Sequence, residues 1–468
     1  MIPMPIHRSA FLRMSTTACA LLLLAAQAFA TDSKSPALGE ITASEWRRQQ
    51  LAAADKSDEI MRQAQKQPGL LAQYLLMQAR YDANDERAFR VIFGQYLSWF
   101  QTWIGDYEGA RKSFSIAQPV QADDGPSPLD GAHSVRPADE VILDLARDRK
   151  AVFFNEAHSA PITRTLTVEL LARLRAEGFN TFAAETLYLG DKELQKRGYA
   201  TSKSGFYVSE PIYGEMVRAA LRLGYKVVAY DAEDAGVGDP REKEGAETLA
   251  RLFKRDPNTR LVANAGFAHI QKSGKYLGGS SMVEFFHKIS GIDPLAIEQT
   301  MLIQHSRPDQ DHPIYLAASQ ATHPAHPYVF VDGSGKPWTL KPGEYDVSVF
   351  FPPQSVQDNR PDWASLDGTR LNYQVGGEYC RGQFPCLIEA HYANEGEDAI
   401  AADRTVLNVI DPNSPLNERV VTNQGSTVGR LYLYPGTYRV NATDRNGRVI
   451  TSRTVEIESG GAAKVKAQ

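Results

Sequence analysis

Four short apolar runs, each ending in ionisable residues and each leading toward a helix signal, constrain this chain more than anything else in it. The first is Ala151–His158, AVFFNEAH, and a helical stretch, Pro161–Glu177, follows it. That stretch has Ile162, Leu166, Leu170 and Leu174 on one face and Gly178 closing it. Asn180–Glu185 (NTFAAE), Lys226–Asp231 (KVVAYD, with Glu233 just beyond) and Arg260–Ala265 (RLVANA, running into Gly266-Phe267-Ala268-His269) repeat the pattern. Apolar runs without alternation read as strands buried on both faces. Helices are expected over Tyr213–Leu223, from Asp239 onward and over Met282–Ser290, with a further strand at Leu295–Thr300. Asp239-Pro240-Arg241-Glu242 has aspartate placed as N-cap, proline in the first turn and glutamate three after the cap. Repeated strand–helix pairs predict an α/β fold: a mainly parallel sheet with helices on both faces.

In such a sheet the carboxyl ends of the strands share one edge, where open α/β sheets bind ligands. Those ends carry Glu156 and His158, Glu185, Asp231 and Glu233, and His269. Side chains alternate along a strand, so Glu156 and His158, two apart, point the same way. Any one of these has a plain explanation as a polar group leaving the core, and two histidines can hydrogen-bond across a sheet end without doing chemistry. Together they predict a site, with Glu156, His158, Glu185 and His269 as catalytic candidates. Glu242 has two readings, a capping-box glutamate or a substrate contact, because its helix starts beside the same edge. Arg241 suits a substrate carboxylate or phosphate, or pairs with an acid. The insertion Leu187–Pro211 is too long for a simple turn and holds Tyr188, Tyr199, Phe206 and Tyr207. It reads as a lid or substrate wall, with Tyr188 and Tyr207 as substrate-binding candidates. Two imidazoles with carboxylates (His158, His269, Glu185, Glu156) suit a Zn²⁺ or Mn²⁺ site with an open position. Without metal, His158 reads as a general base oriented by Glu156 or Glu185. His287, His305, His312, His323, His326 and His391 show no ligand spacing and read as ordinary polar residues.

The flanks follow a different grammar. From Ile41 to about Phe114 the apolar residues recur at helical spacing and end in the aromatic cluster Tyr96, Trp99, Phe100 and Trp103, read as a helix packing on the next domain. Residues 119–137 are rich in Pro, Asp and Gly and read as a linker. After Pro327, PYVFVD and YDVSVFFP read as strands closing the α/β unit. Two echoing stretches beginning at Leu340 and Leu433 each read as a Pro-Gly turn feeding an edge strand. Two alternating runs around Asn446-Gly447 predict a hairpin. The expected order is a helical region (31–118), the linker, an α/β domain (138–361) and a small antiparallel β-sandwich (362–468).

Residues 1–30 read as a signal peptide: Arg8 and Arg13 precede an apolar core, Ala18 to Ala26, and Ala28-Phe29-Ala30 fits a cleavage site. The run is shorter than the about 20 apolar residues a transmembrane helix needs. The chain is therefore expected to be exported, periplasmic or secreted, with no transmembrane segment after cleavage. Losing Arg8 and Arg13, the only Lys, Arg, Asp or Glu residues in that segment, takes the formal charge from −5 to −7, which argues against nucleic acid as a partner. In an oxidising compartment Cys380 and Cys386 are expected to form a local disulfide pinning one turn.

NEAH, the strand-end glutamate of AAET, and GFAH resemble the superfamily that holds erythromycin esterase-like, ChaN-like haem-binding and Tiki/TraB proteins. The shared pattern is two Gly-x-x-His motifs at strand ends with a further glutamate from the strand between. Gly266–His269 keeps the second motif. In the first, Asn155 stands where glycine is usual, with Glu156 and His158 retained. The resemblance covers roughly 145–353. It implies a hydrolase of ester or peptide bonds acting on a small-molecule or peptide substrate, with or without a divalent metal. The alternatives are a tetrapyrrole carrier in which Tyr or His binds haem iron, or a non-catalytic protein recognising a partner through its β domain. It leaves substrate and oligomeric state open.

Overall fold

The computed structural model describes residues 41–231, 236–358, 360–408 and 428–459, and the backbone of 463–465. The expected signal peptide and Glu233 lie outside the described residues. Four helices come first: α1 (Ala43–Ala64), α2 (Leu70–Asp82), α3 (Arg87–Trp103) and α4 (Tyr107–Ser113). Thr42 caps α1, its hydroxyl accepting from Glu45 N at 3.2 Å, and Asp106 caps α4 through Gly109 N. From Phe89 onward α3 is buried on most of its circumference, because it lies between α1, α2 and α4 on one side and the α/β unit on the other.

The α/β unit contains β2 (Ala151–Glu156), β3 (Thr181–Ala184), β4 (Lys226–Ala229), β5 (Leu261–Gly266), β6 (Leu295–Glu298) and β8 (Val347–Ser348). They form one six-stranded parallel sheet in the order β4-β3-β5-β2-β6-β8. The chain runs from β2 out through β3 to β4, then returns through β5 to β6 and β8. The direction of travel thus reverses beside the central β5–β2 pair, where a ligand crevice is expected. Register sets Glu156 opposite Gly266 on this edge and Ala184 opposite Asn264.

The alternation of side chains splits the strands between two cores. Val152, Phe154, Phe182 and Val262 pack with α6 (Ile162–Ala176) and α8 (Pro211–Arg222), after α5 (Ala138–Ala146) and the one-turn α7 (Leu194–Arg197). Phe153, Ala183, Leu261 and Ala263 pack with α9 (Asp239–Arg255) and α10 (Met282–Ser290). The mixed α/β architecture with helices on both faces is therefore present. Among the described residues no helix is long and apolar enough to cross a membrane.

Within 119–137, expected as a linker, Gly125 N donates to Leu340 O at 2.7 Å. The stretch ends in β1 (Ser134–Pro137), which pairs antiparallel with β7 (Tyr328–Val331). A helix, α11 (Pro313–Ala321), precedes β7. After β8 comes a short hairpin of β9 (Val356–Gln357) and β10 (Arg360–Pro361). Then a pair, β11 (Leu371–Gly376) with β14 (Val428–Leu433), faces a five-stranded antiparallel sheet. That sheet comprises β12 (Cys386–Tyr392), β13 (Asp403–Leu407), β15 (Gly436–Thr443), β16 (Val449–Ile457) and β17 (Ala463–Val465). Tyr373, Ile388, Leu431, Val440 and Val455 fill the space between them. The hairpin at Asn446-Gly447 joins β15 to β16, and Cys380 is bonded to Cys386 across a Cα separation of 5.8 Å.

One expectation needs correcting. The second Pro-Gly turn feeds β15, which sits between β12 and β16 rather than at an edge, because Gly436 opens a strand paired on both sides. The β region is also bound tightly to what precedes it. Arg218 of α8 meets both oxygens of Glu395 at 2.8 Å, and Arg404 Nη1 donates to Trp103 O at 3.1 Å and Ser209 O at 2.6 Å.

Candidate active site

The chain leaves β2 at Glu156, and Thr163 in the first turn of α6 holds the exit, its hydroxyl accepting from Ala157 N at 2.9 Å. Glu156 has the parity of Val152 and Phe154, so it meets α6, where Arg164 is fully buried. Arg164 grips the carboxylate through Nε and through Nη2, the latter 3.0 Å from Oε1, while its Nη1 donates to Glu210 Oε2 at 2.8 Å. Asn264 Nδ2 adds a bond at 2.9 Å. Burial alone would raise this carboxyl, but the Arg164 charge and the bonds from His158 and Arg164 outweigh it and hold Glu156 down at about 2. An ionised carboxylate only accepts. His158 Nδ1, 2.9 Å from Glu156 Oε1, therefore carries the proton, and in the neutral ring Nε2 keeps its lone pair. The ring lies on Tyr207 with centroids 3.9 Å apart, and Phe267 stands edge-on at 5.2 Å.

Glu185, just after β3, has the parity of Ala183 and meets α9 instead. Arg241 Nη2 donates to Glu185 Oε1 at 2.8 Å, and Nε and Nη2 hold both oxygens of Asp231 at 2.9 and 2.7 Å. His269, on the turn after β5, places Nδ1 2.7 Å from Glu242 Oε2 and Nε2 3.2 Å from the Tyr276 hydroxyl and 3.5 Å from Glu185 Oε1. Burial would lower the His269 pKa, but the charges of Glu242 and Glu185 prevail and raise it, favouring the imidazolium. Glu185 is pulled far below the usual carboxylate range: burial opposes this, and the surrounding positive charge, that of His269 first and of Arg241 with it, overcomes it.

Glu185 is the point on which both rings converge, since His158 Nε2 lies 3.9 Å from its Oε2. Gly266 lies between them. Its N–H donates to Glu185 Oε2, and a Cβ there would stand 2.4 Å from His158 Nε2 and 2.9 Å from that same oxygen. Only glycine lets β5 run so close, which gives the Gly-x-x-His spacing a physical reason. Thr186 and Phe267, immediately after Glu185 and Gly266, adopt left-handed backbone with φ of 60° and 46°. Non-glycine residues there cost on the order of 1–3 kcal/mol each and cluster at functional sites.

The four catalytic candidates, Arg241 and Glu242 are thus brought together, and Tyr207 stacks on His158. Tyr188 is not among the residues around the cleft; it lies partly buried against the apolar core on the α6 side. The capping-box reading of Glu242 is corrected. Helix α9 starts one residue early, with Gly238 as cap and Asp239 already helical. Glu242 turns inward, and besides His269 it accepts from Met282 N at 3.0 Å. Its Oε1 is buried and has no hydrogen-bond partner among the described residues. With Glu185, Tyr230, Asp231, Arg241, Gly245, His269 and Met282 it lines a small cleft of about 10 Å³.

Arg164, Glu210, Asn264 and Tyr276 complete the arrangement without having been singled out by sequence. Glu298 ends β6 as the other acids end their strands, so the same signal marks it. It is fully buried and binds Thr300 and Met301. Asn155, where the first motif departs from glycine, donates to Phe267 O at 3.0 Å and accepts from Gln299 N at 2.6 Å. It ties the end of β2 to its two neighbours.

A divalent ion such as Zn²⁺ or Mn²⁺ needs several lone pairs turned to one point. Both Nδ1 atoms face their own glutamates, which leaves each Nε2 as the prospective ligand, but Arg241 Nη1 sits 3.5 Å from His269 Nε2 and places a fixed positive charge among those ligands. In this arrangement the donors do not fit a metal ion.

No known family matches the sequence, and no curated protein does. Among solved structures the chain is similar to the type III effector HopBA1, at 16% identity over 37% of this chain and 88% of that one, with a TM-score of 0.25. It is similar also to RRSP, a MARTX toxin effector domain from Vibrio vulnificus CMCP6, at 15% identity over 61% of this chain and 55% of that one, with a TM-score of 0.26. A third is the C-terminal region of Pasteurella multocida toxin, at 9% identity over 82% and 57%, with a TM-score of 0.24. Similarity at this level assigns no activity.

Proposed function

We propose that this chain is an exported hydrolase of ester or peptide bonds that activates water through His158 without a metal ion. One observation carries the reading: two buried histidines, each with Nδ1 on its own glutamate, turn Nε2 toward the same carboxylate, Glu185, beside an arginine. In the proposed reaction His158 Nε2 takes a proton from water as the oxygen attacks the carbonyl carbon, and Glu156 steadies the imidazolium that forms. The negative charge developing on the carbonyl oxygen is met by Arg241 and the imidazolium of His269. His269 then supplies the proton to the departing alkoxide or amine as its bond to carbon breaks. Glu185 positions both rings and Arg241.

A panel of chromogenic esters and peptides, assayed with and without a strong chelator, tests this. Turnover that survives the chelator and disappears in His158→Ala is expected. Turnover abolished by the chelator and restored by Zn²⁺ or Mn²⁺ would overturn the metal-free mechanism. A Soret band on adding haemin, with no substrate turned over, would overturn the hydrolase in favour of a tetrapyrrole carrier.

A further inference from the structure

Helix α6 carries Arg164 into the site and, five residues on, Glu169 into a different cleft. That cleft lies between α6, the Ala325–Pro327 and Phe351–Gln354 segments, and the turn Asp362–Gly368. At about 200 Å³ it has room for a ligand of several carbon atoms, whereas the cleft beside His269 holds only about 10 Å³. Its chemistry is two-sided. Phe351, Pro352 and Trp363 give an apolar wall, while Glu169, Asp362 and Asp367 bring three carboxyl groups and no lysine or arginine lines it.

The acids are not neutralised from within. Glu169 makes no hydrogen bond or ion pair with any described residue. Asp139, the other acid near it, is occupied by Arg173. Among the described residues Asp367 pairs with the exposed His326, 3.1 Å away. Burial, then the charges of Asp367 and Asp139, push the Glu169 carboxyl up to about 8, so at neutral pH it is mostly protonated and a docking cation displaces its proton. The turn that presents Asp367 is itself held in an unfavourable form: Leu366, Asp367 and Gly368 are successive left-handed residues, with φ of 47°, 55° and 72°. Trp363 is fixed, its indole N–H donating to Gln354 Oε1 at 2.8 Å and its ring packed 4.8 Å from Tyr107.

We propose that this cleft binds a small organic ammonium ion, its charge against Glu169 and Asp367 and its hydrocarbon against Trp363 and Phe351. A carboxylate supplies the counter-charge and a rigid aromatic face beside it suits a cation with an apolar tail. A free alkylamine and a lysine side chain offer the same group.

Calorimetric titration of the full chain with n-hexylamine, 1-hexanol and hexanoate tests the proposal, with Nα-acetyl-lysinamide as a fourth arm. Hexylamine is expected to saturate one site, with hexanol and hexanoate at least about tenfold weaker. Acetyl-lysinamide binding as well as hexylamine would identify a lysine side chain as the natural group; hexylamine alone binding would identify a free amine. Glu169→Gln should lose about tenfold in hexylamine affinity while its thermal midpoint stays at the wild-type value. Should that variant melt early, Asp367→Asn provides the second reading, with a smaller loss. No saturable binding of either amine, equal binding of hexanol, or full affinity in both variants would overturn the proposal.

Discussion

His158 and His269 are held by the same device on opposite faces of one sheet, yet their surroundings differ. The glutamate behind His158 is saturated: Arg164, Asn264 and the imidazole occupy both oxygens of Glu156, and nothing about it is free to move. The glutamate behind His269 is half engaged: Oε2 meets the ring and Met282 N, and Oε1 has no partner among the described residues. A saturated carboxylate fixes a ring and its tautomer, which suits a base. A partly free one raises the proton affinity of its ring, which suits an acid. In the proposed reaction, placing the pairs on opposite faces keeps the two roles apart while Glu185 joins them.

The largest expected effect comes from removing either ring. His158→Ala and His269→Ala should each lower turnover by about 10²- to 10⁴-fold, the usual worth of a positioned acid or base, with circular dichroism unchanged. If one variant keeps full activity, the two pairs are not partners in one reaction. Gly266→Ala comes next. The added methyl would collide with His158 Nε2 and Glu185, so turnover should fall while stability drops by about 1–3 kcal/mol, the typical cost of overpacking. Chemical denaturation alongside rate measurement checks both.

Glu156→Gln and Glu242→Gln then separate the pairs by stability. The first leaves the fully buried Arg164 with Glu210 as its one remaining ionised partner among the described residues and should cost up to about 3–5 kcal/mol, the range for breaking a buried ion pair. From sequence alone Glu156→Gln reads as a change that harms activity more than stability. Arg164 reverses that order. Glu242→Gln removes a carboxylate with one oxygen unpartnered and should cost less. Equal losses in urea titrations would abolish the distinction drawn between the two sides.

That reversal shows where the sequence was legible. The strands could be read because buried parallel strands have no exposed face to interrupt the apolar run, and the strand-end acids could be read because they follow directly. The Glu156–His158 contact needed only the two-residue period. Arg164 could not be read, because a charge on a helix normally marks its wet face. Its burial requires Glu156 from eight residues before and Glu210 from 46 residues after, an arrangement only the fold supplies. Glu242 was misjudged for a similar reason: Gly238 rather than Asp239 caps α9, so a one-residue shift moved the glutamate from the cap to the cleft. The docking of the β region was hidden too, since it rests on tertiary pairs such as Arg218–Glu395.

The last expected effect is on the pH dependence of stability, and it runs in opposite senses on the two sides. Glu156 is depressed from 4.5 to about 2, so its contribution is fully present above pH 4.5 and is lost as pH falls toward 2. A shift of that size corresponds to something on the order of 3 kcal/mol. His269 is raised above 6.5. Its contribution is complete below that value and disappears as pH rises through the higher folded value. The wild-type stability curve should therefore fall at both ends. Glu156→Gln should flatten the acid limb and leave the alkaline one. Glu242→Gln, which removes the main charge favouring the imidazolium, should flatten the alkaline limb and leave the acid one. Urea midpoints across pH 2 to 9 for the three proteins decide it. If Glu242→Gln changes the acid limb instead, the two pairs titrate as one unit, and the assignment of base to His158 and acid to His269 loses its physical ground.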